Sequence, residues 1–189
     1  AVREAGKMTA VEVSNTLWAF ATLANKGVRV DEKTVRAVSE QVPRVAHRYE
    51  PHGVSNVWWA HASLAATTGF EVRQATLRGV TKQALKVAAR MRAPEVSNTL
   101  WALAKLATAT TTTTTTATTT TRTTTAAATT AATTAKKKKS TFELDETMVR
   151  LMIKQAPRVA RKLSKKEPHG VADILWALGT LSEKGFEID

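Results

Sequence analysis

The heptapeptide VSNTLWA at residues 13–19 decides the fold of this chain, because close copies of it return three times. The copies are VSNVWWA at residues 54–60, VSNTLWA at 96–102 and VADILWA at 171–177. Their starting positions are 41, 42 and 75 residues apart. Self-similarity with a period in this range is typical of repeat architectures, which indicates about three and a half copies of one supersecondary unit.

Each copy contains the pattern of a first helix that includes the heptapeptide. Its apolar residues recur at helical spacing and leave little polar surface, which predicts a mostly buried helix; in the first copy they are Val13, Leu17, Phe20, Ala21 and Ala24. A proline marks the first turn in later copies, where its missing N–H costs no hydrogen bond: Pro51, Pro94 and Pro168. Glycines predict a left-handed helix end: Gly27, Gly69 and Gly185.

A second helix follows in each of the first three copies, with apolar residues three and four positions apart. The same register gives Val35, Val38, Val42, Val45, Ala46 and Tyr49, then Leu77, Val80, Ala84, Val87, Ala88 and Met91, and then Val149, Met152, Ala156, Val159, Ala160 and Leu163. Pro43 and Pro157 lie inside this helix and are expected to kink it, because each removes a backbone donor. The chain is therefore predicted to be all-α, an α-solenoid of helical hairpins.

The long third step contains a Thr- and Ala-rich insert at residues 108–140, which ends in the four lysines 136–139. It has no large apolar side chains with which to pack a core, so we predict a low-complexity surface loop. The predicted organisation is thus residues 1–107 for repeats one, two and the first helix of repeat three, residues 108–140 for the insert, and residues 141–189 for the remaining two helices.

Composition favours a polyanionic partner. The chain has 28 Lys and Arg against 16 Asp and Glu, a formal net charge of +12, which favours nucleic acid. There is no cysteine, so neither a disulfide nor a thiolate metal site is available. No apolar run approaches the length of a membrane span. We expect no cofactor, no metal, no small-molecule substrate and no membrane partner.

The second helices supply the predicted phosphate contacts. Basic residues recur opposite the apolar face in aligned columns, as a phosphate track requires. These candidates are Arg36, Arg44, Arg48, Arg78, Lys82, Lys86, Arg90, Arg150, Lys154, Arg158 and Lys162. A merely solvated helix face is the alternative, but such a face usually mixes charges of both signs.

The first helices supply possible base contacts on a narrow polar strip that pairs a recurring Asn with a changing residue. The candidates are Asn15, Thr22, Asn56, Ser63, Asn98 and Lys105. The competing and favoured interpretation of the asparagines is an internal hydrogen-bond ladder that holds neighbouring repeats together. The aligned tryptophans are expected to wedge between repeats rather than stack on bases: Trp18, Trp59, Trp101 and Trp176.

Catalysis finds little support in the sequence. His52 and His169 recur in the same Pro-His-Gly turn, and His47 and His61 have no partner at metal-ligand spacing. Neither a phosphate-binding glycine loop nor a nucleophile motif is present. We therefore expect no enzyme activity and assign no catalytic residue.

The repeated segments VSNTLWAFATLANKG, VSNVWWAHASLAATTG and VSNTLWALAKLA resemble the Asn-Thr-Leu-Trp-Ala helix of octotricopeptide repeats and the related heptatricopeptide and FAST-kinase-like repeats of organellar proteins. The resemblance implies a right-handed α-solenoid in an organelle, a mitochondrion with the chloroplast as alternative. It implies RNA as partner, either an organellar transcript or rRNA beside ribosomal proteins. The rival hypothesis is a protein-binding solenoid that recognises a peptide or an acidic partner.

Overall fold

The computed structural model describes residues 2–115, 143–161 and 168–188, and every regular element in those ranges is a helix. Short 3₁₀ turns at Ala46–Arg48 and Ala88–Arg90 follow the second helices of the first two copies. The α-helices are α1 (Val2–Ala5), α2 (Ala10–Asn25), α3 (Glu32–Ser39), α4 (Val42–Val45), α5 (Pro51–Thr68), α6 (Gln74–Val87), α7 (Ala93–Thr115), α8 (Glu146–Ala160) and α9 (Pro168–Glu183). The all-α prediction is confirmed for the described residues.

The first helices, α2, α5, α7 and α9, begin where the sequence places their signals, and α2, α5 and α9 also end there. Thr9 caps α2 in a capping box with Glu12, while α5 and α9 begin at a proline. Positive φ angles follow three of these helices, at Gly27 (77°), Gly69 (70°) and Gly185 (89°). Glycine adopts this left-handed conformation without the steric cost of a Cβ, so the predicted helix ends are confirmed.

The second helices differ in continuity. Asp31 caps α3 and Asp145 caps α8 through their side chains. In the first copy the helix is interrupted at residues 40 and 41 and resumes as α4, whose first turn contains Pro43. In the third copy α8 continues through Pro157. The kink predicted at Pro43 is therefore a break, because residues 40 and 41 do not continue the helix and Pro43 takes a first-turn place in α4.

Contacts between helices follow the order of the copies. The first helices pack in sequence, α2 on α5, α5 on α7 and α7 on α9, while α4 packs on α6 and α6 on α8. Gly79 permits the close approach of α6 to α4, since an added Cβ would lie 3.0 Å from the Cβ of Ala46. The first helices α2, α5 and α7 also contact their own second helices, so the core lies between two rows of helices.

Most of the predicted core positions are buried. All six second-helix positions are buried in each of the first two copies, and Val149, Met152, Ala156 and Val159 are buried in the third. Ala160 is exposed at the end of α8, contrary to the prediction, and Leu163 lies outside the described residues. Trp58 fills the core at a position where other copies have leucine.

The insert begins later than predicted. Helix α7 continues to Thr115, so residues 108–115 are helical rather than part of a loop. The hydroxyl of Thr108 donates to the carbonyl of Lys105, and propagation of an established helix adds one backbone hydrogen bond per residue, which offsets the low helix propensity of threonine. The loop predicted for residues 116–140 lies outside the described residues.

Candidate nucleic-acid interface

Two of the predicted phosphate-binding arginines, Arg36 and Arg48, already contact neighbouring side chains near the surface. Arg36 pairs with Glu32 at 2.6 Å, and its guanidinium also lies over the ring of Phe70, 5.0 Å from the ring centroid. Arg48 contacts His47, with its Nε 3.3 Å from the imidazole Nε2. These contacts hold each guanidinium against a neighbouring side chain.

Arg90 and Arg150 each form ion pairs with acidic side chains, and for Arg150 one of these acids lies on its own helix. Arg90 lies 2.7 Å from Glu50, and Arg150 lies 2.8 Å from Glu146 and 3.3 Å from Glu187. The hydrogen bond with Glu146, followed by the negative charges of both carboxylates, raises the pKa of Arg150. The carboxylates lower the positive charge that a phosphate would meet, so both arginines are weaker phosphate contacts than an unpaired cation, by a small amount because exposed ion pairs are weak.

Arg44 and Arg158 make the same hydrogen bond in two different copies. Arg44 donates from Nη2 to the carbonyl oxygen of Met8 at 2.7 Å, and Arg158 donates to that of Met91 at 2.6 Å. Each carbonyl stands two residues before the first helix of its copy. A glutamine three residues earlier accepts from the Nε of each arginine: Gln41 for Arg44 and Gln155 for Arg158.

We call this link, from a second helix to the carbonyl two residues before its first helix, the hairpin bond. In the middle copy Gln83 makes it instead, donating from Nε2 to the carbonyl of Tyr49 at 2.6 Å. Gln83 is buried, whereas Lys86, which aligns with Arg44 and Arg158, is exposed. The column that the sequence presents as uniform therefore contains two structural arginines and one available lysine.

The remaining predicted cations form the set that we call the free cations: Arg78, Lys82, Lys86 and Lys154. All four are exposed, and none has an ion pair or hydrogen bond among the residues that the structure describes. The three on α6 are spaced by four residues and so share one helix face, and α6 packs against α8, which carries Lys154. Lys162 lies outside the described residues.

A groove of about 360 Å³ borders this set between α6 and the segment before α8. Its floor includes Trp58, and its walls include Arg78 and Lys82. Glu143 and Asp145 also line it, so this edge of the basic surface carries both signs of charge. The groove is therefore less favourable to an anion than the outer side of α6 that carries Lys86.

The asparagine strip on the first helices is closed only in the middle copy, since Asn15 is exposed and Asn98 is half-buried. Asn56 is 5% exposed; its Nδ2 lies 3.5 Å from the Oδ1 of Asn15 and 3.1 Å from the Nε2 of His52. The 3.5 Å contact between Asn56 and Asn15 is one step of the expected ladder. Asn98 is half-buried and has no side-chain hydrogen bond to another described residue, so the ladder does not continue to it.

The changing residues of the strip have three different environments. Thr22 donates its hydroxyl to the carbonyl of Trp18 at 2.9 Å. Ser63 is 1% exposed, and its hydroxyl has no hydrogen-bond partner in the part of the chain that the structure describes. Lys105 lies over two indole rings, with its Nζ 5.5 Å from the centroid of Trp101 and 4.8 Å from that of Trp176. Asn56 and Ser63 are thus too buried to contact a base in this conformation.

The aligned tryptophans contact one another across the first helices. The ring centroids of Trp18 and Trp59 are 6.3 Å apart, as are those of Trp59 and Trp101, with interplanar angles of 34° and 31°. Lys105 bridges Trp101 to Trp176 through its two cation–π contacts. We call Trp18, Trp59, Trp101 and Trp176 the tryptophan column. The tryptophans do join neighbouring repeats, as expected, but at the surface and not as buried wedges.

His61 is a buried structural residue. Its Nδ1 lies 2.8 Å from the carbonyl oxygen of Val57, which can only accept, so Nδ1 carries the proton. Its Nε2 then accepts from the hydroxyl of Ser39 at 2.8 Å. Complete burial lowers the pKa of His61 to about 4, outweighing the opposite effect of the Val57 carbonyl. The imidazole is therefore neutral at physiological pH.

Metal and membrane sites find no structural support where the chain is described. No group of three His, Asp or Glu side chains in residues 2–115, 143–161 and 168–188 is placed to hold a metal ion. Across the same ranges, none of the helices combines the length and the hydropathy that a membrane crossing needs.

Two features of the site escape the sequence pattern. The hairpin bond of Gln83 could not be predicted from the sequence, because glutamine occurs at this position in all three copies but its hydrogen-bond partners differ between them. The contacts between the tryptophans depend on the distance between packed helices, which the sequence does not give, although the shared register position of these residues pointed to them.

Comparisons of the chain with protein-family models, curated proteins and solved structures find no match.

Proposed function

We propose that the chain is an RNA-binding helical-repeat protein of an organelle, built as a right-handed α-solenoid. In this proposal it is a structural rRNA-binding component of a mitochondrial ribosome or a factor in organellar RNA maturation or stability. The organellar part rests on the resemblance of the repeats to the octotricopeptide and heptatricopeptide families. The RNA-binding part rests on one observation, the free cations Arg78, Lys82, Lys86 and Lys154 on neighbouring second helices.

The free cations have what phosphate binding needs. Contact with a nucleic-acid backbone depends on exposed positive charges that internal acids do not already neutralise. Lys82 and Lys86 meet this condition, whereas Arg90 and Arg150 are paired with carboxylates. The formal net charge of +12 adds a long-range attraction for polyanions. Phosphate binding is therefore concentrated on α6 and α8 rather than spread over all three columns.

The order of helix contacts supports the solenoid part of the proposal. In a stack of repeats, each unit buries its apolar surface against the next unit along the chain. Here α5 packs between α2 and α7, and α6 contacts both α4 and α8. Such a stack gives an elongated outer surface along which the free cations follow one another.

The proposal is tested by the salt dependence of RNA affinity, measured by fluorescence anisotropy with a labelled single-stranded RNA. The variant Lys82→Gln/Lys86→Gln removes two free cations. We expect weaker binding and a slope of log K against log salt that is shallower by about 1.4, since each phosphate contact on a single strand contributes about 0.7. The matched control Lys26→Gln/Arg29→Gln removes the same charge from exposed residues outside α6 and α8, and it should change the slope much less.

Two outcomes would contradict the proposal. Equal effects of the two double variants would show that net charge alone attracts RNA. Competition by polyglutamate at the same charge concentration as effectively as by RNA would favour an acidic protein partner instead.

A further inference from the structure

The tryptophan column is the part of the first-helix row that solvent reaches. Trp18 is 46% exposed and Trp176 is 42% exposed, while Trp59 and Trp101 are half-buried. The strip residues around them in the middle copy, Asn56, Ala60 and Ser63, are buried. In the middle copy, a ligand on this side of the molecule would therefore meet an indole ring before it met an amide or a hydroxyl.

We infer that the tryptophan column is a stacking site for unpaired nucleobases of single-stranded RNA, separate from the free cations. The inference rests on the proposed function, because it takes RNA as the ligand. Indole rings stack on every base, since each base has a π-face, and such contacts tolerate any sequence. The column thus assigns base contact to the tryptophans, whereas the sequence pattern assigns it to the asparagine strip.

The geometry of the column suits an extended strand. Successive ring centroids of Trp18, Trp59 and Trp101 lie 6.3 Å apart, about twice the 3.4 Å rise per nucleotide of a stacked strand, so a partly extended strand can place one base on each of these three rings. Tilts of 31° and 34° leave ring surface uncovered, in agreement with the partial exposure of Trp59 and Trp101. Contacts between the rings also hold them in place before a ligand binds.

Charge favours RNA over an apolar protein segment as the occupant. Lys105 holds its ammonium group within 5.5 Å of the ring centroids of both Trp101 and Trp176. A strand stacked on these rings would place phosphates close to this cation. The half-buried Asp173, which takes the asparagine position in the last copy, is the only acidic residue aligned with the strip in these four copies.

The two rows bury their apolar sides against each other, so the tryptophan column and the free cations lie on outward sides of different rows. A 12-nucleotide strand therefore tests the two contacts separately, through tryptophan emission for the column and through salt dependence for the cations.

The experiment measures binding of 12-nucleotide oligoadenylate and oligouridylate by tryptophan quenching and by anisotropy. The variants are Trp18→Ala and Trp101→Ala, with Trp101→Phe to keep an aromatic face and Leu23→Ala as an exposed apolar control on α2. We expect quenching of the parent, an affinity loss of about fivefold or more for Trp101→Ala, a smaller loss for Trp101→Phe, and none for Leu23→Ala. Polyphosphate, which has no bases, should bind all variants equally without quenching.

Thermal unfolding identifies variants that lose the fold; if Trp101→Ala is among them, Trp18→Ala at the exposed end of the column carries the test. Parental RNA affinity in the folded tryptophan variants, or RNA binding without quenching, would overturn the inference and leave the proposed function standing if the salt slope still depends on Lys82 and Lys86. Absence of salt-dependent binding to any RNA would overturn both. Quenching by a peptide but by neither oligonucleotide would assign the column to a protein partner.

Discussion

The middle repeat and its two neighbours form the same helix pair but close it differently. In the first and third copies an arginine donates the hairpin bond, Arg44 to Met8 and Arg158 to Met91. In the middle copy the buried Gln83 donates it to Tyr49, and Lys86 is left exposed. The comparison shows that a carbonyl before each first helix requires a donor, and that the choice of donor decides which cation remains available to a ligand.

The middle repeat also differs inside its first helix. His61 is buried where the other copies have Phe20, Leu103 and Leu178. Its complete burial disfavours the charged form, although both ring nitrogens have hydrogen-bond partners in Val57 and Ser39. The middle repeat therefore contains a titratable group in a position that is apolar elsewhere, and this makes its stability depend on pH.

The largest expected effect is that pH dependence. The pKa of His61 is lowered from 6.5 to about 4, so the unfolded chain binds more protons than the folded chain between these values. His61 should therefore lower the free energy of unfolding as pH falls below about 6.5, by roughly 3 kcal/mol at pH 4. His61→Leu, which copies residue 103, should remove this contribution in urea titrations from pH 4 to 7. A slope equal to that of the parent would contradict it.

The next effect is the loss of the buried hairpin bond. Gln83→Met keeps the side-chain volume but leaves the buried carbonyl of Tyr49 without its donor, so we expect the free energy of unfolding to fall by about 1–3 kcal/mol. Urea denaturation with an unchanged m-value measures the loss. The control is Gln41→Met at the half-buried equivalent position, where Arg44 makes the hairpin bond itself; its loss should be smaller. Equal losses in the free energy of unfolding for the two variants would contradict the conclusion that Gln83 makes the hairpin bond in the middle copy whereas Arg44 makes it in the first.

The smallest effects come from exchanging the cations. Arg158→Lys keeps the charge but cannot reproduce the fork that joins Gln155 to Met91, so we expect a loss of about 1 kcal/mol in the free energy of unfolding. Lys86→Arg should change it by no more than about 0.5 kcal/mol, because Gln83 already satisfies the carbonyl. If Lys86→Arg raised the free energy of unfolding by as much as Arg158→Lys lowers it, Gln83 would be a weaker donor of the hairpin bond than an arginine.

The helix pairs were predictable because their causes are local. Spacing of apolar residues by three and four fixes the buried side of a helix, and α6 buries Leu77, Val80, Ala84 and Val87 as predicted. Capping and glycine signals act within a few residues, so the ends of α2, α5 and α9 also followed from sequence, whereas the extension of α7 to Thr115 did not. The break before Pro43 and the continuation at Pro157 were not separable, since both positions show the same residue in the same register.

For the candidate site, the sequence predicted the residue types and their aligned positions but not their contacts. The aligned positions of the cations followed from the repeat, but their partners did not. Arg44 and Met8 are 36 residues apart, and Arg158 and Met91 are 67 apart, so only the packed hairpin brings them within hydrogen-bond distance. The same holds for Trp18 and Trp59, which sequence alignment placed in register and helix packing placed in contact.

The sequence by itself determined the repeat, the two helices of each copy and the charge of +12, because periodicity, capping and composition act along the chain. Tertiary structure alone decided which cations are free, which asparagines are buried and which aromatic rings meet. These outcomes depend on distances of 3 to 6 Å between residues far apart in sequence, and close packing fixes such distances. Lys86 and Arg158 show the division: one register position, with a free charge in one copy and a structural hydrogen bond in the other.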